Sequence, residues 1–285
     1  MSGEERKAVH CIANAHVDLV WQWTREEGIA AALSTFRSAA DLAERNAFVF
    51  CHNESFLYEY VEAYEPALFA RIKALVAAGR WHIMGGWFLQ PDCNLPCGES
   101  LARQIEEGRR YFSEKFGAVP TVAVNVDPFG HSRGLVQILQ RSGFTGYIVG
   151  RPSRGLLPLP AEQFLWEGFD GSRVAAARIG RYATLMGHAA EHIAQVERET
   201  AEKTALAFWG LGNHGGGPSR KDLADIAAAQ SAGARWVHST PERFFADIAP
   251  QAVWKAPLTH VFPGCYSSLA RIKRLHAALE SELYK

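Results

Sequence analysis

The chain has 285 residues, of which 48% are hydrophobic, and its 30 Lys and Arg are balanced by 30 Asp and Glu. This length suits one large α/β domain or a single α/β barrel with a substantial core. The balanced charge and the lack of a long basic run argue against a nucleic-acid-binding surface and favour a neutral small-molecule substrate. No apolar stretch approaches the roughly 18 residues of a membrane span, and the N-terminal sequence MSGEERKAVH lacks the apolar centre of a signal peptide. We therefore expect no membrane partner and a cytoplasmic location.

Short apolar runs alternate along the chain with longer segments of helical periodicity, which is typical of β/α units around a parallel sheet. The predicted strands are 8–15, 47–53, 81–87, 121–127, 146–150, 174–180 and 205–213. The predicted helices lie near 26–45, 56–78, 99–117, 132–143, 219–232 and 264–284. A hairpin or an insertion is expected within 163–180. The last predicted helix reaches the C-terminus without a capping glycine, and this predicts that the chain is cut from a longer one.

Polar and ionisable side chains follow the carboxyl ends of most predicted strands. In chain order they are His16 and Asp18, then His52, Asn53 and Glu54, then Trp87 and Asp92, then Asp127, and finally Asn213 and His214. In parallel α/β proteins, functional residues gather at this edge of the sheet. We therefore expect these side chains to form one convergent site.

The segment NAHVDLVW places His16 and Asp18 two residues apart just after the first strand. Side chains at positions i and i+2 of an extended segment point to the same face, so both can enter one cavity. An imidazole nitrogen beside a carboxylate oxygen is typical of a zinc site with mixed ligands. The alternative is a hydrogen-bonded core histidine followed by a helix-capping aspartate.

The segment VAVNVDPFGHS places Asp127 at the end of a strongly apolar strand, with Ser132 positioned to cap the next helix. A carboxylate there is costly to desolvate unless it meets a metal or hydrogen-bond donors. Asp127 is therefore a candidate third metal ligand or nucleophile. The alternative is an aspartate that accepts hydrogen bonds from turn amides.

Five segments in chain order resemble the N-terminal catalytic domain of glycoside hydrolase family 38, the retaining α-mannosidases. They are NAHVDLVW, GGWFLQPDCNLPCGES, NVDPFGHS, GLGNHGGGPSR and GCYSSLARIKRL. The resemblance covers nearly the whole chain. It implies an α/β fold with a distorted seven-stranded (β/α)7 barrel as a single catalytic domain over residues 1–285, without the helical and β-domains that follow the barrel in the family. Its implied substrate is an α-mannoside oligosaccharide or glycan, and nothing in the sequence indicates an oligomeric state.

The resemblance also implies one zinc ion, whose ligands would equally accept Co²⁺ or Mn²⁺. It makes His16 and Asp18 metal ligands, and it makes Asp127 both a ligand and the nucleophile of a double displacement through a glycosyl-enzyme intermediate. The candidate substrate-binding aromatic residues are Trp21, Phe129, Trp87 and Tyr266.

Two parts of the implied site are not assigned by the resemblance. The fourth zinc ligand of the family is a histidine in a motif that would follow residue 285, and His214 is a weak substitute for it. The acid/base is Asp92 or His214, because the glycine-rich loop has Asn213 and His214 where relatives often have an aspartate. His214 is equally compatible with a loop residue bonded to backbone. Glu54 is a weaker acid/base candidate than Asp92, and Glu99 is expected to cap the following helix.

Two other functions compete with the mannosidase. One is an inactive or carbohydrate-binding remnant of such a barrel, in which an incomplete ligand set lowers the affinity for zinc. The other is a metal-dependent polysaccharide deacetylase, which uses an incomplete β/α barrel with His and Asp ligands and requires an HxxxH ligand pair on a helix. We expect no such pair in this chain.

Overall fold

A computed structural model describes residues 7–212, 215–259 and 261–285. Its β-strands are β1 (Ala8–Ala13), β2 (Phe50–His52), β3 (Trp81–Ile83), β4 (Val122–Asn125), β5 (Gly146–Val149), β6 (Gln163–Glu167), β7 (Arg173–Arg178), β8 (Thr204–Trp209), β9 (Trp236–His238) and β10 (Val253–Trp254). Its helices are α1 (Arg25–Arg45), α2 (Ser55–Tyr64), α3 (Pro66–Ala77), α4 (Gly98–Phe116), α5 (Leu135–Arg141), α6 (Ala189–Glu199), α7 (Arg220–Ser231), α8 (Pro241–Ala246), α9 (Pro263–Ser267) and α10 (Ala270–Leu283). None of these helices is both long and apolar enough to span a bilayer.

The strands form two five-stranded sheets. In the first, β3, β2, β1 and β8 are neighbours in that order, β9 also pairs with β1, and all pairs are parallel. In the second, the order is β10, β6, β7, β5 and β4, with only the β6–β7 pair antiparallel. The α/β class with parallel sheets is therefore confirmed. The closed seven-stranded barrel is not confirmed, because no ladder joins β3 to β4 or β7 to β8 in the described part of the chain.

Side chains from both sheets nevertheless meet in one buried core. Ile12 of β1 and Phe208 of β8 pack there with Val124 of β4, Ile148 of β5 and Ala177 of β7. Apolar contact between the inner faces therefore holds the sheets together where backbone pairing is interrupted. Because the two sheets share this interior, the carboxyl ends of their parallel strands open toward one common cavity.

A side chain bridges the two sheets at the interruption between β3 and β4. The carboxylate of Glu242, on α8, lies 2.7 Å from Nε2 of His82 on β3. Its other oxygen accepts a hydrogen bond from the backbone N–H of Thr121, which precedes β4, at 3.3 Å. A third element thus supplies the polar link that a backbone ladder would otherwise make.

The predicted elements differ from the structure in a few places. Each of the seven predicted strands overlaps a strand of the structure, and the expected hairpin is the antiparallel pair β6 and β7. The predicted helix 56–78 is divided into α2 and α3, because Pro66 has no N–H to continue the helix and Glu65 is not helical. The sequence did not predict α6, α8, β9 or β10, and these two strands are too short to show an alternating pattern.

Helix α1 packs directly on the segment that carries the HxD motif. Thr24 caps the helix, and its side chain and that of Glu27 form a capping box. One turn later, a Cβ added to Gly28 would lie 1.8 Å from the backbone oxygen of Leu19. Only glycine permits this approach, which holds the chain that follows Asp18 against α1.

We expect Gly28→Ala to destabilise the protein. The clash with Leu19 should cost about 2 kcal/mol, which exceeds the gain of up to about 1 kcal/mol from replacing a helical glycine by alanine. Urea unfolding checks this expectation. Gly264→Ala is the matched control, because a Cβ there meets nothing within 4 Å. If Gly28→Ala were as stable as the parent, the close approach of Gly28 to the backbone of Leu19 would not contribute to the free energy of unfolding.

Candidate metal centre

Three potential metal ligands converge at the carboxyl ends of β1 and β4. Nε2 of His16 lies 3.5 Å from Oδ1 of Asp18 and 3.8 Å from Oδ2 of Asp127. One ligand atom from each of the three residues lies within 4.8 Å of the others. Within residues 7–212, 215–259 and 261–285, this is the one group of three such side chains close enough to hold a metal ion.

The chemistry of this group suits a divalent cation. Nε2 of His16 is buried and has no hydrogen-bond partner, so it points at the two carboxylates unsatisfied. A nitrogen with two carboxylate oxygens is a typical donor set for zinc, and cobalt or manganese accepts it as well. Burial lowers the pKa of His16, but the nearby carboxyl groups of Asp18, Glu54 and Asp127 outweigh this effect and raise the pKa overall. The site therefore attracts positive charge.

Asp127 is held in place through one of its two oxygens. Oδ1 accepts hydrogen bonds from Nε of Arg151, at 2.9 Å, and from the hydroxyl of Tyr182. Nη2 of Arg151 also lies 2.7 Å from Oδ1. Oδ2 is thus the oxygen that faces His16. Arg151 and Tyr182 follow β5 and β7, so the strand-end rule that found Asp127 also applies to them, although the sequence analysis did not select them.

The backbone of Arg151 is itself fixed by a buried histidine. Nε2 of His131 donates to the backbone oxygen of Arg151 at 3.1 Å, and the hydroxyl of Tyr147 donates to its Nδ1 at 2.7 Å. Burial lowers the pKa of His131 to about 3, so its ring is neutral and can make both bonds. His131 thereby supports the arginine that holds Asp127.

The carboxyl group of a buried glutamate, Glu54, lies behind the three candidate ligands. Glu54 is 2% exposed, and its backbone has φ 70°, a left-handed conformation that is uncommon outside glycine. One of its oxygens accepts the backbone N–H of Gln90 at 3.2 Å, and the other has no partner. Burial raises the pKa of Glu54 above its ordinary value. The sequence analysis ranked Glu54 below Asp92, yet both line the same cavity.

The cavity in front of the ligands has a volume of about 450 Å³. Asp92 lies on its wall, where Oδ1 accepts the backbone N–H of Asn94 at 3.0 Å and the hydroxyl of Tyr266 at 3.2 Å. Burial raises the pKa of Tyr266 to about 12. Glu99 does not reach the cavity. The prediction that it caps α4 is wrong, because Cys97 is the N-cap residue and no side chain caps this helix, while Glu99 lies in the first turn and pairs with Arg103.

The predicted aromatic residues divide into two groups. Phe129 and Tyr266 line the cavity. Trp21 is half exposed and packs edge-on against Trp23, beside the cavity wall. The structure does not place Trp87 at the cavity, because this side chain is fully buried and stacks on Phe144 in the core under the second sheet. Residue type alone does not separate a buried tryptophan at a strand end from one that faces a ligand.

The glycine-rich loop after β8 approaches the same site. Asn213 and His214 lie outside the described residues. The neighbouring Gly212 is close to the metal centre, since a Cβ added there would be 3.5 Å from Cβ of His16. The loop therefore passes beside the first of the three ligands.

The expectation that the chain has no HxxxH pair is wrong, because one such pair occurs, but it is not part of this site. His188 and His192 belong to the segment HAAEH at the start of α6. His188 is exposed and pairs with Glu191, whereas His192 is buried with its Nε2 unpartnered. Neither residue lines the cavity or belongs to the metal-binding group. The ligand arrangement required for the deacetylase alternative is thus not formed.

Comparison with known families decides what kind of domain carries this centre. Residues 6–264 match the family model of the glycosyl hydrolases family 38 N-terminal domain. The chain belongs to this family. The expectation drawn from the five sequence motifs is confirmed.

Relatives of this family 38 domain are α-mannosidases. The chain is 28% identical over 296 residues to alpha-mannosidase 2C1 of Homo sapiens, covering 99% of this chain and 28% of that protein. It is 29% identical over 306 residues to alpha-mannosidase G of Dictyostelium discoideum, covering 99% and 27%. The crystal structure of an α-mannosidase from Enterococcus faecalis V583 matches with a TM-score of 0.77 at 20% identity, over 89% of this chain and 31% of that one. The family 38 domain thus spans less than a third of each of these relatives.

His52, the last residue of β2, lies in the core and not at the cavity. It is packed edge-on against Phe36 and Tyr58, and neither ring nitrogen has a partner. Burial lowers its pKa from 6.5 to about 3. The folded protein therefore takes up no proton there at pH values where the unfolded chain does.

We expect His52→Leu to reduce the acid sensitivity of folding. In the parent, the stability linked to His52 is complete above about pH 6.5 and falls as the pH drops toward 3, by about 1 kcal/mol per pH unit. The variant should lose this part of the slope, measured as the free energy of unfolding in urea between these pH values. The exposed His188 supplies the control variant His188→Leu. Equal slopes in parent and His52→Leu would contradict the buried neutral state.

Proposed function

We propose that this family 38 domain is the catalytic part of a retaining α-mannosidase that hydrolyses terminal α-D-mannosyl linkages of an oligosaccharide or glycan. The observation that carries the proposal is the group of His16, Asp18 and Asp127 on the wall of a 450 Å³ cavity. That volume lies within the usual range of small-molecule sites. Membership in a glycoside hydrolase family and the α-mannosidase relatives support the same reaction.

The residues that would hold the metal are His16, Asp18 and Asp127, and zinc is the ion we propose. When bound, zinc supplies Lewis-acid stabilisation to the sugar hydroxyl oxygens. Asp18 and Asp127 contribute the negative charge that keeps a divalent cation in place, and His16 contributes a neutral nitrogen. His214 is a further ligand candidate from the loop beside His16.

Asp127 is proposed as the nucleophile of a double displacement. The guanidinium of Arg151 and the hydroxyl of Tyr182 both donate to one oxygen of Asp127, so the carboxylate is fixed in orientation. In the first step, a bond forms between a carboxylate oxygen and the anomeric carbon while the bond to the leaving oxygen breaks. The acid/base, Asp92 or His214, gives its proton to that leaving oxygen.

In the second step, the acid/base takes a proton from water, and the water oxygen replaces Asp127 at the anomeric carbon. Two inversions at the same carbon give net retention. The half-buried Asp92 is suited to this exchange, because its contact with the hydroxyl of Tyr266 orients it on the cavity wall. Phe129 and Tyr266 offer apolar ring surface to the sugar, with Trp21 beside the entrance.

The proposal extends to the architecture and the location. The parallel strands β1, β2, β3, β4, β5, β7 and β8, with their shared interior, are best described as a distorted and interrupted (β/α)7 barrel that forms one catalytic domain over residues 1–285. A cytoplasmic location remains a prediction from the sequence.

Asp127→Asn should lower the turnover of an aryl α-mannoside by at least about a thousandfold, because the amide cannot form a stable ester with the sugar. The control is Asp225→Asn, which makes the same chemical change on α7, where Asp225 pairs with Lys221 at the surface. Turnover near that of the parent in Asp127→Asn would remove this residue from the nucleophile role. An inactive parent with bound zinc would instead favour the carbohydrate-binding remnant.

Asp18→Asn should weaken zinc binding by about tenfold or more, since one of three ligands loses its charge. Zinc per chain after dialysis, measured by elemental analysis, checks this expectation. Asp225→Asn again serves as the control, and it should retain the metal content of the parent. Unchanged zinc in Asp18→Asn would count against the site.

A further inference from the structure

The side-chain amide of Gln90 lies between two parts of the metal centre. Its Oε1 accepts the backbone N–H of Val126 at 2.9 Å, and its Nε2 lies 3.3 Å from Nδ1 of His16. Val126 directly precedes Asp127. One side chain thus connects the segments that carry two of the three ligands, and it also lines the cavity.

The orientation of this amide is determined by its partners. A backbone N–H can only donate, so the group that faces Val126 must be the amide oxygen. The NH₂ group of Gln90 then faces Nδ1 of His16. Because NH₂ can only donate, Nδ1 of His16 has to accept.

This hydrogen bond specifies where the proton of the imidazole lies. A neutral histidine carries one proton, and an accepting Nδ1 leaves that proton on Nε2. Nε2 is the atom that faces Asp18 and Asp127. A metal ligand needs the opposite tautomer, with a free lone pair on Nε2 and the proton on Nδ1, where a neighbouring carboxylate or carbonyl oxygen normally accepts the Nδ1–H hydrogen bond.

We propose that Gln90 is a positioning residue that holds His16 in the tautomer protonated on Nε2 and thereby sets the affinity of the centre for a divalent metal. The inference rests on the proposed metal site. Metal binding through Nε2 places the NH₂ group of Gln90 against an Nδ1–H of His16, and because both groups can only donate, the hydrogen bond between Gln90 and His16 is lost. The affinity for zinc is lowered accordingly.

Gln90→Glu tests the proposal by replacing the NH₂ group that faces His16 with a carboxylate oxygen. A carboxylate in the same place accepts from Val126 with one oxygen and from Nδ1–H of His16 with the other. The variant should therefore bind zinc about tenfold more tightly than the parent, measured by competition with a chelator. Weaker or unchanged zinc binding by the folded variant would overturn the proposal.

Gln104→Glu is the matched control for the added charge. Oε1 of Gln104 accepts the backbone N–H of Leu89, in the same loop as Gln90, and Gln104 makes no hydrogen bond to His16. We expect its zinc affinity to stay within about twofold of the parent, since it adds the charge without changing the acceptor at Nδ1. If both variants tightened zinc binding equally, general attraction by the new carboxylate would replace the tautomer explanation.

A second measurement reads the tautomer of His16 directly in the parent protein. Long-range ¹H–¹⁵N correlation spectra of the metal-free parent, recorded at about pH 9, well above the ordinary pKa of histidine, report which ring nitrogen carries the proton. The His16 signals are assigned with a His16→Gln variant. We expect protonation on Nε2 in the parent and on Nδ1 in Gln90→Glu. Protonation on Nδ1 in the metal-free parent would overturn the inference.

These readouts separate this inference from the proposed function. If the parent binds no zinc while Gln90→Glu does, the tautomer proposal is supported and zinc is removed from the function of the parent. If the parent binds zinc and is active but already carries the proton on Nδ1, the function stands and the role of Gln90 fails.

Discussion

The site depends on negative charge brought together at one end of the strands. Asp18, Asp127 and the buried Glu54 surround a buried histidine, and each carboxylate removed from water needs a compensating partner. Arg151 supplies one cation, and it is held by cation–π contacts with Phe129, Tyr182 and Phe262 as well as by Asp127. The remaining charge faces Nε2 of His16, which is why a divalent metal is the natural complement of the group.

The same charge explains why the neighbouring residues are so strongly constrained. His131 is neutral, and its two hydrogen bonds keep the backbone of Arg151 in register with Asp127. Gln90 and Gly28 act at other sides of the same centre, the first through hydrogen bonds and the second through its lack of a side chain. The residues around the three candidate ligands therefore determine their geometry, and few of these supporting residues would themselves take part in chemistry.

The sequence predicted more of the strands, and of which side chains meet at their ends, than of the residues that support them. His16, Asp18 and Asp127 each follow an apolar strand, and parallel strands bring such positions to one edge, so their proximity could be expected from the sequence. Gln90, Arg151 and Tyr182 were missed because their importance comes from the atoms they face, which no spacing reports. The prediction that Trp87 contacts the substrate is wrong, because this side chain is buried against Phe144, and the spacing of residues in the sequence does not reveal that packing. The sequence also did not predict the gaps between β3 and β4 and between β7 and β8, because closure of a barrel depends more on strand register and tilt than on the apolar pattern.

The pairing of β1 has a consequence for how the chain folds. Ala8 of β1 is paired with Thr204 of β8, and Val9 with Trp236 of β9, so the central strand finds these partners only after most of the chain is available. Such distant pairing carries a large loop-closure entropy and slows folding. During synthesis on the ribosome, the edge of β1 that pairs with β8 stays unpaired until the later strands emerge, and such an exposed edge favours association of the nascent chain.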